Sequence, residues 1–151
     1  MRSLILIGFE FLTLTARADL RSCPEALVSR DSGAEALFQR HQISASSHAA
    51  FMEWYEEQEP KVRESVAAIV RDLELGIRLQ NLPRVVATSE RGIWEIKPQG
   101  RTQCRVFLGV GGGQGFRILF GADHLKNRAS DQTRAIRAAS ELWQDFLELR
   151  R

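Results

Sequence analysis

The chain has 151 residues, 44% of them hydrophobic and 26% charged, with a formal net charge of +2. These values suit one compact domain whose core is large enough to fold unaided, and they exclude wholesale disorder. The small net charge hides a polarised sequence: residues 53–74 hold seven acids and three bases, whereas residues 96–130 hold six Lys and Arg against one acid, Asp123.

Residues 4–14 form an apolar run, followed by Ala16-Arg17-Ala18, which has the form of a signal-cleavage site. Glu10 interrupts that run, Arg2 alone supplies its leading charge, and the run is too short to span a bilayer. Residues 1–35 fit poorly with the pattern that follows. They read as an N-terminal extension, with upstream sequence translated from an early start as the favoured origin; a period-2 strand and a secretion signal are the competing readings. The domain proper is expected over residues 36–151. Cys23 and Cys104 have no metal-ligand spacing. Cys104 lies within a strand pattern and reads as a buried reduced thiol, which points to a cytoplasmic protein.

Residues 37–43 are expected to form a first strand. Ser44, Ser46 and Ser47 then offer N-caps for a helix from about His48 to Glu59. Pro60 suits the first turn of a second helix, where its missing N–H costs nothing. Val62, Val66, Ile69, Val70 and Leu73 recur at helical spacing, and Gly76 is placed to end that helix. The short connection makes the two helices a hairpin.

Beyond Pro83, three apolar runs read as a strand meander: Ile93-Trp94-Glu95-Ile96, Cys104-Arg105-Val106-Phe107 and Phe116-Arg117-Ile118-Leu119-Phe120. Residues 99–102 and 109–115 supply the turns. Alternation puts Cys104, Val106, Leu108 and Val110 on one face and Arg105 with Phe107 on the other. Arg117 opposes Phe116, Ile118 and Phe120 by the same count, so the basic side chains can share a face. Ser130 or Asp131 caps a last helix with apolar positions at Ile136, Ala139, Trp143, Phe146 and Leu147. The expected class is α+β, an N-terminal helical hairpin packed on a small antiparallel sheet with a C-terminal helix.

A small sheet that repeatedly gives strand positions to cations suggests phosphate binding. Arg105, mid-strand between apolar neighbours, is read either as a phosphate contact or as a structural partner of an acid such as Glu95. His124 has no second metal ligand at suitable spacing. The glycines of residues 109–115 match neither phosphate-loop motif and join strand to strand, so they form a hairpin loop. Trp94, Trp143 and Phe146 read as core, while Trp54 and Tyr55 are expected to face a partner protein in part.

The order of these elements, with Glu59-Pro60-Lys61-Val62-Arg63 at the helix turn, Gly92-Ile93-Trp94-Glu95-Ile96-Lys97, Cys104-Arg105-Val106-Phe107, Phe116-Arg117-Ile118-Leu119-Phe120 and Lys126-Asn127-Arg128, resembles the RelE/ParE toxin superfamily, in particular its HigB-type, phage-derived branch. The resemblance covers about residues 37–147. It implies a ribosome-dependent mRNA endoribonuclease of a type II toxin–antitoxin system, cytoplasmic, working without metal or cofactor, and silenced by a cognate antitoxin protein. Its partners would be that antitoxin, the ribosome and mRNA, with no membrane. Carried over by position, Lys97 assists removal of the 2′ proton, Arg105 binds the phosphate, and Lys126 and Arg128 supply the cation after the last strand. Arg101, Arg117 and His124 are the further RNA contacts expected. The chain departs from the family at Lys126-Asn127-Arg128, where two adjacent lysines are usual, at Gly121-Ala122-Asp123 before His124, and in the length of the glycine-rich hairpin. A ParE-like gyrase poison, a decayed prophage remnant or a partner-binding domain is the alternative.

Overall fold

Adjacent apolar residues Leu37 and Phe38 are both buried, which a strand could do only with both of its faces covered. In the computed structural model, which describes residues 24–101, 103–123 and 129–151, they lie instead on a helix, α1 (Pro24–His41). The first strand expected over residues 37–43 is therefore a helix as far as His41. Phe38 meets Phe51 and Tyr55 edge-on, at centroid distances of 5.1 and 4.9 Å. Of the expected strand only Gln42 pairs, in a single parallel bridge to Ile118. The division expected at residue 35 falls within α1; residues from Glu35 to Arg151 make up one compact unit.

Ser44 caps α2 (Ala45–Glu56) through a reciprocal box with Ser47, so the helix starts and ends three residues earlier than its expected span. Phe51, Met52 and Tyr55 form its buried face. Tyr55 is thus core, its hydroxyl donating to the Arg63 carbonyl, and not a partner-facing residue. Helix α3 (Pro60–Glu74) buries the stripe its spacing predicts, Val62, Val66, Ile69, Val70 and Leu73. It ends in a Schellman motif: Gly76, at φ +90°, donates to the Leu73 carbonyl and Ile77 donates to that of Asp72. Glu74 receives Arg40 at 2.8 Å and His41 at 2.7 Å, joining α3 to α1. The Arg40 hydrogen bond, then that of His41, holds the Glu74 carboxyl below the usual range. The pair is solvated and contributes little to stability.

The sheet is antiparallel in the order β1 (Val85–Ala87), β2 (Ile93–Ile96), β3 (Cys104–Val110), β4 (Phe116–Asp123). It has one strand more than the three-run meander, because the short Val85–Ala87 segment pairs with β2. The β3–β4 turn is narrower than residues 109–115, since β3 runs on through Val110. Helix α4 (Ala129–Leu149) closes the chain. Ser130 and Asp131 lie in its first turn, so neither is the cap. The α+β class holds, with four helices among the described residues.

Both faces of the sheet are covered. Ile93, Phe107 and Leu119 pack with Ala139, Trp143 and Phe146 on the α4 side. Val106 pairs with Gly121, over which Trp54 of α2 lies, so that side is the opposite face. The register shift between Phe107 and Leu108 comes from an extra residue on β4, Leu119, so β3 keeps its alternation, and it is buried almost continuously because both faces are covered. Gly109 and Gly121 are the close-approach points: a Cβ on Gly109 would enter the Trp143 ring, and one on Gly121 the Trp54 ring.

Gly109→Ala is expected to destabilise the fold by about 1–3 kcal/mol through overpacking. Trp143→Leu should recover part of that loss in a double-mutant cycle followed by urea unfolding. Strictly additive losses would show that the two residues do not press on each other.

Cys104 is buried and unpaired. Desolvation is the main cause that pushes its thiol up to about 11 from an ordinary 9.0. Because the folded value is the higher, its contribution is complete below pH 9 and is lost as pH rises from 9 through about 11. In a Cys23→Ser background, native protein at pH 8 should react slowly with a thiol-directed disulfide reagent and react fully once unfolded.

Candidate functional site

The β2–β3 register runs Glu95↔Phe107, then Ile96↔Val106. The next residues along the two strands are Lys97 and Arg105, which brings these candidate cations together as neighbours. They follow Glu95 and Phe107 on the α4 side. The Glu95 side chain is 5% exposed, and Lys97, 44% exposed, sets its Nζ 3.7 Å from Glu95 Oε1. From the first turns of α4, Gln132 Nε2 donates to the two Glu95 oxygens at 3.4 and 3.2 Å. A carboxyl group this buried needs such hydrogen-bond partners. Glu95 therefore fixes both Lys97 and the start of α4.

Arg105 does not pair with Glu95 among the described residues. Its Nη1 donates 2.7 Å to the Cys104 carbonyl, and its Nε is buried without a hydrogen-bond partner among them. His124, Lys126 and Arg128 lie outside the described residues. They fall in the segment that joins Asp123, paired with Cys104 beside Arg105, to Ala129.

The other two candidates are elsewhere. Arg117 is opposite Gly109, about 13 Å along the strands from Arg105 at ordinary rise. Its Nη1 donates 2.8 Å to the Arg40 carbonyl. Arg101 is on the α3 side, where its backbone N–H donates to the Glu59 carboxylate. Because Gly109 faces Trp143, its partner Arg117 keeps the sheet face of Arg105 and is separated from it only along the strands, whereas Arg101 lies on the other side. Trp54 is half-buried, and its indole donates 2.9 Å to Asp123, which Gln58 reaches as well. Trp143 and Phe146 are core as expected, while Trp94 is half-buried.

Sequence reasoning missed Gln132 and underrated Glu95. Glu95's placement in the apolar run Ile93-Trp94-Glu95-Ile96 was the available signal, since an acid there must find partners. Among the described residues no group of three or more His, Cys, Asp or Glu could hold a metal, and no helix is long and apolar enough to cross a membrane. Compared with protein-family models, curated proteins and solved structures, the chain matches none.

Gln132→Ala removes the amide donor to a buried carboxylate and should cost about 1–3 kcal/mol. The apolar pair Glu95→Met with Gln132→Met should be much nearer neutral, since no buried charge is then stranded. Urea unfolding of the two variants against the wild type checks this; an unchanged Gln132→Ala midpoint would remove Glu95 from the α4 anchor.

Proposed function

We propose that this chain is a toxin of the RelE-like, HigB-type kind: a ribosome-dependent mRNA endoribonuclease, working without metal and held inactive by a cognate antitoxin. One observation carries the reading. Extending the β2–β3 register past Ile96↔Val106 brings Lys97, just beyond β2, beside Arg105 of β3, next to the strand end from which the segment with Lys126 and Arg128 departs. The element order also supports it, with α2 and α3 as the helical hairpin, the meander after them and α4 last.

In the proposed reaction the ribose 2′-oxygen attacks the adjacent phosphorus while its proton is removed with the assistance of Lys97. The bond from phosphorus to the 5′-oxygen breaks, and that oxygen takes up a proton as it leaves. Arg105, with Lys126 and Arg128, offsets the charge gathering on the phosphate oxygens. Such donors act most strongly when fixed before the reaction begins. Arg105 is held at one end by its bond to Cys104, whereas Lys97 is held over Glu95. Arg101 and Arg117, on the α3 side and at the far strand end, would contact RNA outside the reacting phosphate, as would His124. The ribosome supplies the shaped surroundings that isolated Lys and Arg lack.

Induced Arg105→Ala is expected to relieve growth arrest while the protein stays folded, with cleavage slowed roughly 10²–10³-fold, or about 2.7–4 kcal/mol. Purified wild-type chain should cut message only on translating ribosomes, leaving a cyclic phosphate and a 5′-OH, in the presence of EDTA. A soluble Arg105→Ala protein of full toxicity would remove Arg105 from the chemistry. Intact message with gyrase-dependent DNA breaks would favour the ParE-like alternative.

A further inference from the structure

On the α3 side the β2–β3 loop bends down onto the start of that helix. Gln99 N–H donates 3.1 Å to Ser65 Oγ, and Arg101 N–H donates to Glu59. Gly100 makes this approach possible, because a Cβ there would overlap the Glu59 carboxylate and Val62. The loop thereby walls a hollow of about 550 Å³ with three cations, Lys61, Arg84 and Arg101, against the single carboxylate of Glu59. That carboxylate already accepts the Arg101 amide. The Gln99 carboxamide lies against the Arg84 guanidinium, and with its oxygen assigned to that side, the orientation that satisfies both groups, it accepts from Nη2 at 2.9 Å and Nε at 3.2 Å. Arg84 Nη1 also lies 3.4 Å from the Lys97 carbonyl.

A second depression, of about 460 Å³, continues from the first and shares Lys61, Arg84 and Gln99 with it. Its floor is apolar, with Ile69, Leu82 and Pro83, and it carries two carboxylates, Glu64 and Asp72. Both volumes are in the range of small-ligand sites. The charges also set an orientation. An anionic group is favoured in the hollow, where cations outnumber acids, and disfavoured near Glu64 and Asp72. A flat, weakly polar body fits the groove.

We propose that the hollow and groove together bind a nucleotide unit, with its phosphate among Lys61, Arg84 and Arg101 and its base over Ile69, Leu82 and Pro83. This site is on the other side of the sheet from Glu95 and Gln132 and goes beyond the nuclease reading. It also gives Arg101 a partner group that the Lys97 and Arg105 pair does not share.

The test titrates isotope-labelled full-length chain at low salt with each of the four ribonucleoside monophosphates, with adenosine and with inorganic phosphate, following backbone amide shifts. At least one monophosphate should bind saturably, shift Lys61, Gln99, Gly100 and Arg101, and bind about tenfold or more tightly than phosphate or adenosine. Arg84→Gln should weaken it about tenfold, the size of one charge-assisted hydrogen bond. Lys61→Gln, at an exposed helix position, should weaken it in the same direction without disturbing the fold. The proposal is overturned if no monophosphate gives saturable shifts at these residues. Inorganic phosphate binding as tightly as every nucleotide would overturn it too, as would affinity unchanged in both variants.

Discussion

A tryptophan ring lies against a strand position without a side chain on each face of the sheet, Trp143 over Gly109 and Trp54 over Gly121. These two approaches set how near α4 and α2 come to the strands. The separation is that of indole on backbone, with no intervening Cβ, and aromatic burial of this kind dominates core energetics. Much else follows from it. On one side, Trp143 stacks on Phe146 and brings α4 low enough for Gln132 to reach Glu95. On the other, Trp54 is close enough to bond Asp123 at the end of β4. The polar contacts next to the candidate site are therefore second to the packing: they form because the helices already sit at the right height.

The result is a sheet with different chemistry at the two sides of one hairpin. Toward α4, a buried carboxylate steadies Lys97 beside Arg105. Toward α3, a glycine-permitted bend gathers Lys61, Arg84 and Arg101. Polarisation of the chain into acidic and basic stretches is partly undone by folding. Lys61 and Glu59 from the acidic helical region share a hollow with residues of the basic sheet region. Charge counted along a sequence is thus a guide to total field more than to local company.

Helix α3 was legible because its five buried residues repeat at helical spacing and its Pro and Gly stand at the ends where backbone chemistry favours them. Strands β2, β3 and β4 were legible as apolar runs between turn residues. Residues 37–43 were misread because Leu37 and Phe38 are adjacent and apolar, a pattern that fits either a strand buried on both faces or a helix turned toward a core. Strand β1 has three residues, too few for any period to show. Side-chain faces on β3 were legible, with Phe107 and Gly109 toward Trp143 and Val106 paired with Gly121 under Trp54; those on β4 were not, because the extra residue Leu119 puts Phe120 on the face of Arg117. At the site, Lys97 and Arg105 could be found from composition and resemblance. The company of Arg101 could not, because Lys61 and Arg84 come from separate elements whose meeting depends on the loop bend at Gly100.

The end of α1 and the residue after it also meet the edge of the sheet. Strand β4 is the outer strand of its side of the sheet and carries Phe116, Ile118, Leu119 and Phe120 over eight residues. An apolar edge of that length, left open, is a template for pairing with another molecule. Gln42 occupies it at Ile118, and Arg117 turns back to the Arg40 carbonyl. The single parallel bridge thus occupies part of that edge, and the residues at the end of α1 shorten the stretch of β4 left for strand pairing.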